Sequence, residues 1–329
     1  MLLKPPGQAA DTRHVGTRRA SGAPAELRLD LEGRPVLEFQ PAVDMSNGML
    51  LGFEALVRWE HPTRGAIAPD VLIPFAEASD RILEVDAWAL AEACRQATQW
   101  PSGIQVAVNC SLTQLRAHQA TEAAAAALET SGLNPDRLTL EITETAVADL
   151  QASTELRMLT SLGVHLAVDD VGTSWSTLEN LRRYSIETAK IDRTFIAALE
   201  PHEGMNRAIV EAIIHVSHSL GMSTVAEGVE TAVQVATLRS FGADVAQGYF
   251  FAGALSAEDA LSLATAEPRA VFSFTSHRAE GVTTAVQPPP LVVLPGEAGG
   301  TDDTDVFPDE GGPPPSARAS HPSVVAPGT

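Results

Sequence analysis

Short runs of apolar and β-branched residues recur through the middle of the chain. They are Val36–Gln40, Leu50–Val57, Ile104–Asn109, Leu138–Ile142, Val164–Val168, Thr188–Ile191, Ser223–Ala226 and Asp244–Gln247. Runs this short, bounded by polar and turn-forming residues, have the pattern of buried strands. Between most of them the apolar positions recur every three or four residues instead. Val71–Trp100 carries Ile73, Phe75, Ala76, Ile82, Trp88 and Leu90 in this way, and Thr121–Leu133 and Asn206–Leu220 repeat it. Helix-stopping glycines follow at Gly132, Gly163, Gly221 and Gly242. Strands alternating with helices predict an α/β fold with a parallel sheet, and eight strands suffice to close a TIM-like (β/α)8 barrel. The first pair departs from the rule. Pro41 to Met49 is too short for a crossover helix and contains Ser46-Asn47-Gly48, a turn signal. The pattern therefore predicts a hairpin and a barrel with an antiparallel first strand.

Composition divides the chain in three. Residues 1–34 show no sustained periodicity, and residues 268–329 hold half the prolines with Gly-rich spacers and the acidic run Asp302, Asp303, Asp305, Asp309 and Glu310. Neither stretch has the apolar content to offset its ordering entropy, so both are expected to be disordered, flanking a barrel domain at 35–267. The acidic run lacks the glycine and glutamate spacing of a calcium loop. Lys and Arg number 22 against 42 Asp and Glu, a formal charge of −20. That balance argues against a nucleic-acid polymer as partner. No apolar run approaches the roughly 20 residues needed to span a bilayer, and the opening residues lack a signal peptide's apolar stretch, so a cytoplasmic protein with no membrane insertion is expected. Cys94 and Cys110 form no metal-binding spacing and read as ordinary thiols.

In a β/α barrel, chemistry collects at the C-terminal ends of the strands. Those ends carry Glu54, Asn109, Glu141, Asp169 with Asp170, Lys190, Glu227 and Gln247. Any one of them could be a solvated strand end or a helix cap; seven strand ends in succession point to a site. Carboxylates gathered at one mouth repel each other unless cations lie between them, and oxygen donors suit Mg²⁺ or Mn²⁺ rather than zinc. Adjacent residues of a strand face opposite ways, so Asp169 and Asp170 can share a site only if the strand ends there. Lys190 also stands out by composition. Apart from Lys4 it is the one lysine in a chain that otherwise uses arginine.

These residues also resemble a family. Phe53-Glu54-Ala55-Leu56-Val57-Arg58-Trp59 is similar to the signature that names the EAL domain, the bacterial phosphodiesterases of cyclic di-GMP. The likeness runs through essentially all of 35–267, in Phe39-Gln40-Pro41, Val108-Asn109-Cys110-Ser111, Leu140-Glu141-Ile142-Thr143-Glu144, Asp169-Asp170-Val171-Gly172-Thr173, Lys190-Ile191-Asp192-Arg193, Ala226-Glu227-Gly228-Val229-Glu230 and Gln247-Gly248-Tyr249. The resemblance implies a barrel with a reversed first strand, hydrolysing cyclic di-GMP to linear pGpG with a water activated by two Mg²⁺ or Mn²⁺ ions per site. It implies that Glu54, Asn109, Glu141 and Asp169 hold one metal, and that Asp169, Asp170 and Glu227 hold the second. By the same resemblance Lys190 would touch the attacking water, where a compact ammonium fits better than a guanidinium. Glu227 would also be a proton acceptor. Glu144 would anchor the loop Asp170–Leu178 over the metals, Gln40 and Arg58 would face the substrate, and Gln247 would lie near the nucleophile or substrate. A homodimer is the expected assembly.

Three departures bear on rate rather than identity. The loop after the aspartates has Val171 for the family's phenylalanine and Ser174 for a glycine; Ala252-Gly253-Ala254-Leu255 replaces a basic residue and proline; and no cyclase, receiver or PAS partner is expected within 34 N-terminal residues. They leave a second class of function open, an idle relative that binds cyclic di-GMP or a protein partner as a receptor. His215 and His218, His165, and the tryptophans Trp88, Trp100 and Trp175 read as packed or solvated residues. Asp192 is expected to orient its neighbours at the site, and Glu230 to start a helix.

Overall fold

A computed structural model of the chain describes residues 33–67, 69–79, 81–172, 181, 183–199, 204–266, 272 and 274. Residues 1–32 and all but Phe272 and Phe274 of the 268–329 stretch lie outside the described residues, as does Trp175. The strands are β1 (Arg34–Asp44), β2 (Leu50–His61), β3 (Gly65–Ile67), β4 (Gln105–Asn109), β5 (Leu138–Thr143), β6 (His165–Val171), β7 (Thr188–Ile191), β8 (Ser223–Ala226) and β9 (Val245–Ala246). They run β1-β9-β8-β7-β6-β5-β4-β2 around a ring that the β1–β2 pairing closes, with β3 appended to β2 outside it. Within the ring only β1 is antiparallel to its neighbours, β2 and β9, so the reversed first strand is as expected.

The hairpin at the head of the barrel follows from its turn. Asp44 Oδ1 accepts from the backbone N and hydroxyl of Ser46, Asp44 Oδ2 accepts from Asn47 Nδ2, and Asn47 Oδ1 accepts from Met49 N. Gly48 takes φ +78 and donates to Asp44 O at 2.7 Å, a conformation open to glycine at little cost. Side chains thus supply the turn's hydrogen bonds; the register shifts by one residue between Val43↔Leu50 and Ala42↔Gly52 and is then continuous to Arg34↔Glu60.

Alternation along the strands separates two environments. Residues that face out, among them Val106, Val108, Leu138, Leu140, Ile142, Leu166, Val168, Ala189 and Ile191, are all but completely buried. The helices Ile82–Ala97, Ala120–Ser131, Ser153–Ser161, Gly204–Ser219 and Ala232–Phe241 surround the ring and supply Leu90, Leu128, Leu156, Ile214 and Leu238 to the same core. The core is therefore a shell between sheet and helices. A smaller cluster of Trp59, Ile67, Leu72, Ala76, Ile82 and Val85 packs under β3. The stretch 71–100, one helix by periodicity, is two: Pro69–Ala78 and Ile82–Ala97. At the break Arg81 N donates to Ala76 O at 2.7 Å, five residues back instead of four, so the helical ladder does not continue.

Two aromatic residues from beyond 267 join the core. Phe272 is 5% exposed, its N–H donates to Gly48 O at 2.8 Å, and both it and Phe274 meet the Phe251 ring edge-on. Phe272→Ala should therefore cost about 3 kcal/mol, the lower end for a buried phenylalanine. It should appear as a lower urea midpoint with an unchanged slope; an unchanged midpoint would show that the barrel ends at 267.

Candidate active site

Lys190 is the centre of the barrel mouth. Its side chain is 2% exposed, and Nζ lies 2.6 Å from Glu227 Oε1, 2.7 Å from Glu141 Oε2, 3.3 Å from Glu54 Oε2 and 3.6 Å from Asp169 Oδ1. Glu141 and Asp169 lie two residues before the ends of β5 and β6, and Glu227 follows β8; Glu54, expected at a strand end, lies in the middle of β2, which runs on past its pairing with β4 to His61. Gln247, the residue after β9, donates from Nε2 to Glu54 Oε2 at 2.5 Å and to Glu227 Oε1 at 3.4 Å. Asn109 Nδ2 donates to Glu54 Oε1 at 3.3 Å, which turns its carbonyl oxygen away from that carboxylate. The strand-end residues expected to share a site are thus in one place.

Gly248 holds two of these strand ends together. Its φ is +150, and a Cβ built there would lie 2.3 Å from both Val229 N and Val229 O. Only a residue without a side chain lets the chain after β9 lie against the chain after β8, which aligns Gln247 with Glu227.

Asp170 requires a correction. The strand was expected to stop so that both aspartates could face the site, but β6 continues to Val171. The register with β7 shifts between Val168 and Val171, and Asp170 takes φ +58. A bulge therefore turns the second carboxylate, at the cost of a left-handed residue that Asp tolerates better than most. Asp170 N donates to Asp169 Oδ1 at 3.0 Å. Asp192 lies beside Asp170 and also caps the helix Arg193–Ala197 by accepting from Thr194 N, so it serves both as orienter and as cap. Glu144 is buried at the start of Glu144–Ala148; residues 173–178 of the loop it was expected to anchor, including Ser174, lie outside the described residues.

Gln40 pairs with Glu54 across the hairpin, and alternation places Glu38 and Arg58 on the same face further above the rim. Arg58 Nε donates to Glu38 Oε2 at 2.8 Å. The sequence reading missed Glu38 as the group that holds Arg58, although its spacing of two from Gln40 along one strand placed it on that face. Of the departures, Leu255 exchanges backbone hydrogen bonds with Phe39 and so belongs to the barrel wall. His165 bonds Glu187 and Asp136, and His218 bonds Asp244, which leaves both outside the site.

The charges sort themselves by surroundings. Burial would push Glu54 up, but Lys190 and the Gln247 hydrogen bond hold it below its ordinary value. Burial, with the Glu54 charge beside it, pushes Glu141 well up. Burial also raises Glu227 to about 7, against the pull of Lys190 and with the push of Asp169 and Glu54. Asp170 rises to about 6 through burial and the charges of Asp169 and Asp192. Lys190 stays protonated because the carboxylates outweigh its burial.

The donor set fits divalent cations in its chemistry. It is rich in oxygen, carries more negative charge than one ammonium balances, and leaves Glu141 Oε2 and Lys190 Nζ buried without a hydrogen bond of normal geometry despite their 2.7 Å approach. Among the described residues no three acidic, histidine or cysteine side chains converge on one point as ligands of a single ion do; the ammonium stands at the centre of the ring.

The family model for the EAL domain matches residues 25–254. The chain belongs to the EAL-domain family. Among curated EAL relatives, it is 40% identical over 244 residues to the bifunctional diguanylate cyclase/cyclic di-GMP phosphodiesterase MucR of Pseudomonas aeruginosa, covering 72% of this chain and 36% of that protein. It is 38% identical over 242 residues to the cyclic di-GMP phosphodiesterase NbdA of the same organism, covering 70% and 31%. The chain spans about a third of the length of these relatives. A solved structure of the MucR phosphodiesterase in complex with c-di-GMP superposes with a TM-score of 0.65 at 38% identity, over 68% of this chain and 93% of that one. Among the described residues, no helix of this EAL chain is long and apolar enough to cross a membrane.

The raised carboxyls set a pH dependence. Between about 4 and about 7 the folded protein holds protons on Asp170 and Glu227 that the unfolded chain releases at the ordinary 3.8 and 4.5. Their contribution to stability is complete below about 4 and lost as pH rises through 7. After chelation the melting temperature should fall between pH 5 and pH 8, and excess Mn²⁺ should reverse the fall. A flat profile in chelator would contradict these shifts.

Proposed function

We propose that this EAL domain hydrolyses cyclic di-GMP to linear pGpG, using two Mg²⁺ or Mn²⁺ ions. The observation that carries the reading is the ring of carboxylates around a buried, charged Lys190, which would repel an anionic dinucleotide unless further cations were bound. The similarity to phosphodiesterases of cyclic di-GMP supports the choice of substrate. Glu54, Asn109, Glu141 and Asp169 would hold one ion, and Asp169, Asp170 and Glu227 the other. When bound, such ions would supply Lewis acidity that lowers the pKa of a water and would neutralise charge on the phosphodiester.

The chain's own residues have the remaining work. Lys190 keeps its proton and would donate a hydrogen bond to the attacking water and then to the phosphoryl oxygen. Glu227, whose Oε1 lies at the centre of the site 2.6 Å from Lys190 Nζ, is placed to take a proton from that water. Gln247 fixes the Glu54 and Glu227 carboxylates, so neither has to be oriented when substrate arrives. Arg58 is held by Glu38 at the rim, where its guanidinium can form a fork with a phosphate oxygen pair.

Purified protein incubated with cyclic di-GMP and Mn²⁺ or Mg²⁺ should yield pGpG by chromatography, and chelator should stop it. Intact substrate, tightly bound under both metals, would make this a receptor. Glu54→Ala and Asp169→Ala should lower turnover by at least a thousandfold with the melting transition still cooperative. Lys190→Arg should be slowed by at least a hundredfold; a near-normal rate would remove Lys190 from contact with the water.

A further inference from the structure

A β/α barrel ordinarily fills its interior with layers of bulky branched side chains. Here the inward positions below the carboxylates include Ala107, Thr139, Ala167, Thr188, Ser223 and Val225, and most are small. They leave a cavity of about 290 Å³ whose ceiling is Glu54, Glu141, Lys190 and Gln247. Its far end is the N-terminal rim of the barrel. Gln105 is exposed there, Thr139, Thr188, Ser223 and Val245 are only half-buried, and so are Ala107 and Val225 two positions further along their strands. Solvent thus enters the lumen from the side opposite the mouth.

Both ends of this space suit water. Near the rim, Thr188 Oγ1 and Ser223 Oγ bond each other at 3.1 Å and Thr139 adds a third hydroxyl. At the ceiling the polar side chains of Glu54, Glu141, Lys190 and Gln247 line the space, although Lys190 Nζ and Glu141 Oε2 themselves face away from the lumen's solvent and lack a hydrogen bond of normal geometry. A roomy cavity with polar groups at both ends holds ordered water, whereas a wholly apolar one stays dry.

We infer that the lumen is a water-filled back entrance, through which water and protons exchange between the N-terminal face of the barrel and Lys190 while the dinucleotide covers the mouth. Its role in turnover rests on the hydrolase reading; access through it does not. Hydrolysis forms a bond from the water oxygen to phosphorus and breaks the bond from phosphorus to the 3′-oxygen. One water proton goes to that leaving oxygen, and the other is released as the new phosphate monoester ionises, its second pKa being about 6. Each turnover therefore takes in one water and gives up about one proton, and the lumen supplies a path for both.

Ala107→Cys places a thiol inside the lumen, and the native Cys94 and Cys110 are buried, so the unsubstituted protein serves as background. Methyl methanethiosulfonate should label Ala107→Cys at the same rate with and without a saturating, hydrolysis-resistant phosphorothioate analogue of the dinucleotide. Adding Ser223→Leu or Thr139→Leu, two independent plugs at the rim, should slow labelling at least tenfold. Protection by the analogue, or no labelling at all, would overturn the back entrance. In turnover, either plug alone should lower kcat severalfold at unchanged KM and metal affinity; a wild-type kcat in both would overturn the lumen's part in catalysis. Labelling as expected in a protein that makes no pGpG would refute the hydrolase reading and leave the entrance standing.

Discussion

An ammonium group withdrawn from water is tolerable only with anions around it, and a cluster of buried carboxylates only with a cation among them. The Lys190 cluster satisfies both conditions at once. Glu54, Glu141, Asp169 and Glu227 each approach its Nζ, and each arrives from a different part of the barrel wall. The arrangement is stable only while every strand delivers its side chain to the same height. The geometry of the ring, the turn at Asp44 and the close approach at Gly248 all serve that alignment.

Much of this was legible in the sequence because two simple periodicities carry it. Alternation and run length located the eight barrel strands, and the polar residue within or just after each run located the site. Lys190 was marked by composition in an arginine-rich chain. What escaped was set by backbone irregularity or by pairing between strands. Nothing local announces that β6 bulges at Asp170 rather than ending, because the shift is defined against β7. Glu38 acquires meaning only when the hairpin register brings it beside Arg58. The break after Ala78 falls where the apolar pattern runs on without interruption, so periodicity alone does not mark it. Phe272 and Phe274 lay in a Pro/Gly-rich composition that masked two aromatic anchors.

The division of the barrel into a tightly packed outer shell and a small-residue interior separates two demands. Stability comes from apolar area buried between sheet and helices, where Leu138, Leu140, Ile142 and their neighbours lie. The inner face is thereby released from packing and can carry hydroxyls, amides and charges. A charged lysine at the centre of a conventionally filled barrel would face bulky aliphatic side chains; here it is ringed by carboxylates, with small residues beneath it and hydroxyls at the far rim.

The seam between β1 and β9 gives the molecule its folding order. It rests on two residue pairs, Val43↔Ala246 and Asp44↔Val245, with a further bridge from Phe39 to Leu255. It joins segments some 200 residues apart in the chain, the kind of contact whose loop-closure cost delays it to late in folding. The Gln247–Glu54 hydrogen bond spans that same seam. A chain still being made, or one only partly folded, therefore lacks the completed carboxylate ring, which arrives together with the closed barrel rather than before it.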